Sequence, residues 1–191
     1  MSCMAAIVAG NSDMTFNDCT AECGSYFALT HCVNGWQEEV ADITVTGGDI
    51  HTKKECVLVK SHNMMLDLCD VNISSDKGIL VHTIVNDDPC ATKVTKDVFG
   101  VNVVMTDMDV KGDLLHEDTT REMWVMLNST QLTGAIQHAN VAFDKGSKWV
   151  ATADSDVVFV TDVEPAQIDA PAGVTITAKG AEAGEFALAS G

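Results

Sequence analysis

The chain is short of cations. Of its 191 residues only 11 are lysine or arginine, against 28 acidic residues, and Arg121 is the one arginine. A net charge of −17 excludes the usual nucleic-acid binder, which neutralises phosphates with clustered basic side chains. It disfavours an anionic membrane surface for the same reason. Long apolar runs are missing as well. None approaches the roughly 18 residues of a spanning helix, so nothing reads as a transmembrane segment. The opening Met1-Ser-Cys-Met-Ala-Ala lacks a basic region followed by a long apolar stretch, and no signal peptide is read there. Helical patterning is also absent: no stretch of about a dozen residues places apolar side chains at i, i+3, i+4 and i+7. Of the Asn-Gly and Asp-Gly dipeptides that close two-residue hairpins only Asn34-Gly35 occurs, which speaks against a sandwich of hairpins.

Seven cysteines (Cys3, Cys19, Cys23, Cys32, Cys56, Cys69 and Cys90) all lie in the first half. They are too sparse for a disulfide-built mini-protein, and the odd count leaves at least one thiol unpaired within the chain. Cys56 and Cys69 fall inside apolar phrases, where a thiol packs as a small apolar group. Most of the seven are expected reduced and buried.

What the chain does have is 46% apolar residues, enough for one domain with a real core, arranged as a recurring phrase. Tyr26-Phe-Ala-Leu-Thr, Cys56-Val-Leu-Val-Lys-Ser, Gly78-Ile-Leu-Val-His-Thr, Met123-Trp-Val-Met-Leu and Lys148-Trp-Val-Ala-Thr alternate apolar residues before a small polar one. A second phrase precedes each: Met14-Thr-Phe-Asn-Asp, Ile43-Thr-Val-Thr-Gly, Met64-Met-Leu-Asp-Leu, Val103-Val-Met-Thr-Asp and Val141-Ala-Phe-Asp-Lys. β-branched residues and period-2 alternation make these strands, and the protein all-β. Ile43 and Met64 are 21 residues apart, Val57 and Ile79 are 22 apart, and short strand pairs cannot bury an apolar face alone. The expected fold is therefore a right-handed parallel β-helix, a β-solenoid. Met14, Ile43, Met64 and Val103 would form one interior ladder; Phe27, Val57, Ile79, Trp124 and Trp149 would form another. Asp18, Gly47-Gly48, Asp70 and Asp107 would mark bends, where Asp and Gly accept unusual dihedrals. Residues 1–162 would be the coils and residues 163–191, with Pro165 and Pro171, a C-terminal capping coil.

Two phrases carry a resemblance. Leu127-Asn-Ser-Thr-Gln-Leu-Thr-Gly-Ala-Ile and Val141-Ala-Phe-Asp-Lys-Gly-Ser-Lys-Trp-Val-Ala-Thr-Ala-Asp-Ser-Asp-Val resemble the late coils of bacterial surface β-helix proteins. These include autotransporter passenger domains and adhesin-like proteins of pectin-lyase-like fold. The likeness spans roughly 60 residues, and Phe186-Ala-Leu-Ala-Ser-Gly looks like a family coil end. It implies surface display or secretion, in a fragment of a larger bacterial protein, and brings no catalytic residue to this chain.

Chemistry-bearing residues are few. Asp107 with Asp109, and Asp154 with Asp156, pair carboxylates as Ca²⁺ could use them, without the Asp-rich loop of an EF-hand. Cys19, Cys23, His31 and Cys32 form an imperfect zinc spacing. Asp87-Asp88 matches one phrase of β-helix glycoside hydrolases, which need converging carboxylates. Trp36 is the candidate carbohydrate contact, whereas Trp124 and Trp149 are expected in the core. The expected function is a non-catalytic surface or secreted module for adhesion or structure, with no catalytic residue and no cofactor beyond a candidate Ca²⁺. Polysaccharide, a host or cell-surface protein, or a second copy end to end would be its partner. The alternative is a carbohydrate-active hydrolase or lyase, with loops 86–100 and 111–122 walling a groove.

Overall fold

A computed structural model of the chain describes residues 4–8, 10–32, 38–88, 99–180 and 185–189. Its strands, in chain order, are β1 (Ala5–Val8), β2 (Ser12–Cys23), β3 (Ala28–His31), β4 (Val40–Thr52), β5 (Val57–Lys60) and β6 (Asn63–Cys69). Then come β7 (Asn72–Ser75), β8 (Ile79–Ile84), β9 (Val101–Thr106), β10 (Asp109–Lys111), β11 (Asp113–His116), β12 (Met123–Asn128) and β13 (Gln131–Thr133). The last are β14 (Ile136–Phe143), β15 (Lys148–Val150), β16 (Ser155–Phe159), β17 (Ile168–Asp169), β18 (Thr175–Gly180) and β19 (Glu185–Ala189). A 3₁₀ turn at Pro165–Gln167 is the only helical element among the described residues. The all-β expectation holds.

The architecture corrects the rest of that expectation. Eleven strands follow one hydrogen-bonded path, β1-β3-β5-β8-β11-β14-β12-β9-β6-β4-β2, and every step along it is parallel. The ends of the path, β1 and β2, are consecutive in the chain. The main sheet is thus a nearly closed barrel of parallel strands, and not the right-handed parallel β-helix with a capping coil that the phrases suggested. The join is β14. Its first residues pair with β11 and its last four with β12, with His138 between them at φ 56°. One long strand therefore unites two series that the phrases alone present as separate. A smaller parallel sheet, β10-β13-β15-β17, lies beside the main one, and β19 pairs antiparallel on β18.

Alternation fills the interior. Met14, Ile43, Leu66, Val103, Val125 and Val141 are successive register partners, and the last five are buried. Met64 stands two residues off the place expected for it, pairing with Ala41 and Val101. A slip of two keeps the same face, so Met64 is still core. The second expected ladder does not exist as written. Val57 pairs with Ala28 and Val81, Ile79 with Asp113, Trp124 with Asn102 and Asn140, and Trp149 with Leu132 and Ile168. Three strand series share one apolar rhythm, and the rhythm does not say which series a phrase belongs to.

The bends do fall where Asp and Gly foretold them. Asp18, Asp70 and Asp107 have φ of 47°, 49° and 54°, and Gly47 and Gly48 stand at 66° and 87°. At Gly48 a Cβ would run into the backbone of Cys19, so only glycine fits.

Candidate functional site: an outer face and a buried polar corner

The expected site residues are scattered. Asp107 serves its bend, and Asp109 is exposed at the start of β10. Asp154 accepts a bond from the Thr175 amide at 2.8 Å, and Asp156 faces His138 at 3.9 Å. Among the described residues no three His, Cys, Asp or Glu side chains converge as a metal site, the Cys19, Cys23, His31 and Cys32 set included. Asp87 and Asp88 are taken by ion pairs: Lys60 reaches both at 3.4 Å, and His31 reaches Asp88 at 3.4 Å. Trp36 lies outside the described residues, as do 89–98 of the expected groove wall, while within 111–122 residues Asp113–His116 are strand β11.

Trp124 reverses its expected place. On β12, Met123, Val125 and Leu127 point inward, so Trp124 and Met126 point out, 39% and 46% exposed. The indole Nε1 donates to Glu122 Oε2 at 3.2 Å. One continuous outward row runs in register through Asp13, Asp42, Met65, Asn102, Trp124, Asn140, Val158 and Lys179. Each step is one strand, about 4.8 Å. The next row passes through Thr44, Asp67, Val104, Met126 and Ala142. The face is therefore aromatic and aliphatic around β12 and acidic toward β2. Burial, and then the charges of Asp13 and Asp67, raise the Asp42 carboxyl above its ordinary pKa. Sequence reading missed this face because its rows join residues 16 to 37 positions apart on neighbouring strands.

Where the chain turns toward β6, β9 and β12 it buries polar groups. Asn63 binds three segments: its Nδ2 donates to the Glu39 carbonyl at 3.1 Å, and its Oδ1 accepts from Gly100 N at 3.1 Å and Arg121 Nε at 3.2 Å. Asn86 donates its amide to Ser61 Oγ at 2.9 Å and its Nδ2 to the Cys32 carbonyl at 2.8 Å. Arg121, 6% exposed, donates to Thr120 Oγ1 at 3.1 Å and pairs with Asp118, 1% exposed, at 3.6 Å. His116 donates from Nε2 to the Arg121 carbonyl at 3.0 Å, which leaves Nδ1 to accept from the Thr83 hydroxyl.

The electrostatics of this corner favour neutral groups. His62 is fully buried with neither ring nitrogen hydrogen-bonded among the described residues, and burial, with Arg121 and His31 beside it, lowers its pKa to about 4. Burial likewise lowers His116 and raises the Cys32 thiol, the latter against the pull of Arg121. Cys56, away in the core, is pushed up to about 12 by burial. These thiols are protonated and unreactive at neutral pH. The corner clamps turns together, and the outer face is what a partner can reach.

No protein family, characterised protein or solved structure matches this chain. The described residues contain no helix long and apolar enough to cross a membrane.

Proposed function

We propose that the protein is a non-catalytic module of a cell surface or the extracellular space that holds a polysaccharide against the outer face of its main sheet. The observation that carries this reading is Trp124, exposed on a rigid strand with Asn102 and Asn140 as its register partners. An aromatic face covers the CH side of a sugar ring, and flanking amides serve its hydroxyls as donors and acceptors. Display or secretion rests on the sequence likeness of 127–160 to bacterial surface proteins alone, since the β-helix that likeness implied is not the fold found.

A carbohydrate-active enzyme is the second reading. It is favoured by Asp13, Asp42 and Asp67 on the same face, with Asp42 raised in the direction a general acid needs.

The test is a panel of neutral and charged polysaccharides, followed for retention and for new reducing or unsaturated ends. Retention without cleavage is expected, weakened about tenfold or more by Trp124→Ala, a loss of about 1.4 kcal/mol or more. Cleavage of any polymer would establish the enzyme. Absence of retention on all of them would remove polysaccharide as the partner.

A further inference from the structure

We propose that the outer row centred on Trp124 takes a linear glycan bearing free amino groups, an amino-sugar polymer part of whose amines are unacylated. The inference rests on the polysaccharide reading above and names the ligand class.

Glu122 holds the indole by its edge and places a carboxylate beside the ring. An aromatic face next to a carboxylate is the pair of groups an ammonium seeks, one through the ring quadrupole and one through charge. From Trp124 toward β2 the row passes Asn102 and Met65 and reaches Asp42 and Asp13, with Asp67 in the next row. Among the described residues no lysine, arginine or histidine forms an ion pair with Asp13, Asp42, Asp67 or Glu122. The base of the row, Lys179, stands three strands beyond Trp124 on the opposite side.

Asp13, Asp42 and Asp67 therefore stand together with no cation paired to them among the described residues; burial, and then the charges of Asp13 and Asp67, raise the Asp42 carboxyl. Amines spaced along a glycan would supply the missing charge at several strands at once. A uronate polymer would meet the same carboxylates and a chain of net charge −17, and would be repelled. A neutral glycan would stack on Trp124 and gain nothing from Asp42 or Glu122. Charge thus selects among polymers that the aromatic platform alone would accept.

The experiment compares retention of the whole chain on chitin, on partly deacetylated chitin, on cellulose and on immobilised polygalacturonate. Deacetylated chitin should bind about tenfold tighter than chitin or cellulose, with the gap closing near 0.5 M salt, and polygalacturonate should not bind. Trp124→Ala should weaken binding to every polymer. The exposed-site double variant Asp42→Asn with Glu122→Gln should remove the preference for amines, so that deacetylated chitin and chitin are retained alike. Equal retention on neutral and amine polymers, or a preference that survives the double variant, overturns the inference and leaves the polysaccharide reading standing. Amine-polymer binding that survives Trp124→Ala is general ion exchange and also overturns it. Silence on every polymer overturns both.

Discussion

Arg121 and Trp124 are three residues apart and occupy each other's customary places. The arginine is buried in a polar corner with His62, Asn63, His116 and Asp118, while the tryptophan stands in the open beside Met126. In most proteins charged groups face water and large apolar side chains face inward. Between these two residues β12 begins, and its alternation fixes the second placement: once Met123, Val125 and Leu127 fill the interior, Trp124 must point out. The first placement has another cause. The turns leading to β4 and β9 carry backbone groups outside the strand ladders, the Glu39 carbonyl and the Gly100 amide; Asn63 binds both, and Arg121 holds Asn63 by its Oδ1. The corner therefore holds the fold and the outer strip is free to serve a partner. Changes in the two regions should then differ in kind as well as in size.

The largest effect belongs to the corner. Arg121→Met removes a cation that Asp118 and Asn63 both use and leaves the Asp118 carboxylate buried without its ion pair. Breaking such a pair costs about 3–5 kcal/mol. Urea unfolding should show that loss, and Asp118→Asn in the same chain should recover part of it. A loss under about 1 kcal/mol would mean that the corner does not anchor the turns, and the contrast with the strip would fail.

Next comes pH. In the unfolded chain His62 takes up a proton near the ordinary value of 6.5; in the folded one it does so near 4, because it is buried beside Arg121 and His31. Between these values the unfolded chain binds the extra proton, so stability falls as the medium is acidified from about 6.5 toward 4 and is independent of His62 above that window. The full drop from this residue is about 3 kcal/mol. His116, lowered in the same direction by burial, adds to the slope. Comparing wild type with His62→Leu by denaturant unfolding at pH 7 and at pH 4.5 isolates the contribution. The variant should lose less stability on acidification; parallel curves would place His62 in contact with water or a carboxylate.

Strand content and bends were legible in the sequence because each rests on local physics. Alternation marks a strand, and Asp or Gly marks a left-handed bend, as at Asp18, Gly47 and Asp107. Sheet order was not legible. Val57, Trp124 and Trp149 sit in phrases of one rhythm, yet they belong to three different pairings, and only the turn at His138 inside β14 joins two of the series. Nor did the pattern say that Trp124 faces out, since an aromatic among apolar neighbours reads as core until its parity is known. The polar corner was invisible for a further reason: Cys32, His62, Asn86 and Arg121 come from four distant segments, and no spacing in the sequence brings them together. The carboxylates singled out by their spacing, Asp107 with Asp109 and Asp154 with Asp156, instead fill backbone and surface roles.

The smallest effect should come from the strip itself. Met126 is 46% exposed, pairs in register with Val104 and Ala142, and closes no cavity in the interior. Replacing it with threonine keeps a residue that suits a strand and removes apolar surface that faces mostly water. Stability should shift by no more than about 0.5 kcal/mol in either direction. Retention on a bound polysaccharide should fall nonetheless, because the aliphatic floor beside Trp124 is lost. If Met126→Thr instead destabilises the fold by about 2 kcal/mol, the strip is part of the packed structure, and its exposure is no sign of a partner. If neither stability nor retention moves, the contact surface is confined to the Trp124 row, which Asp42, Asn102 and Asn140 share and Met126 does not.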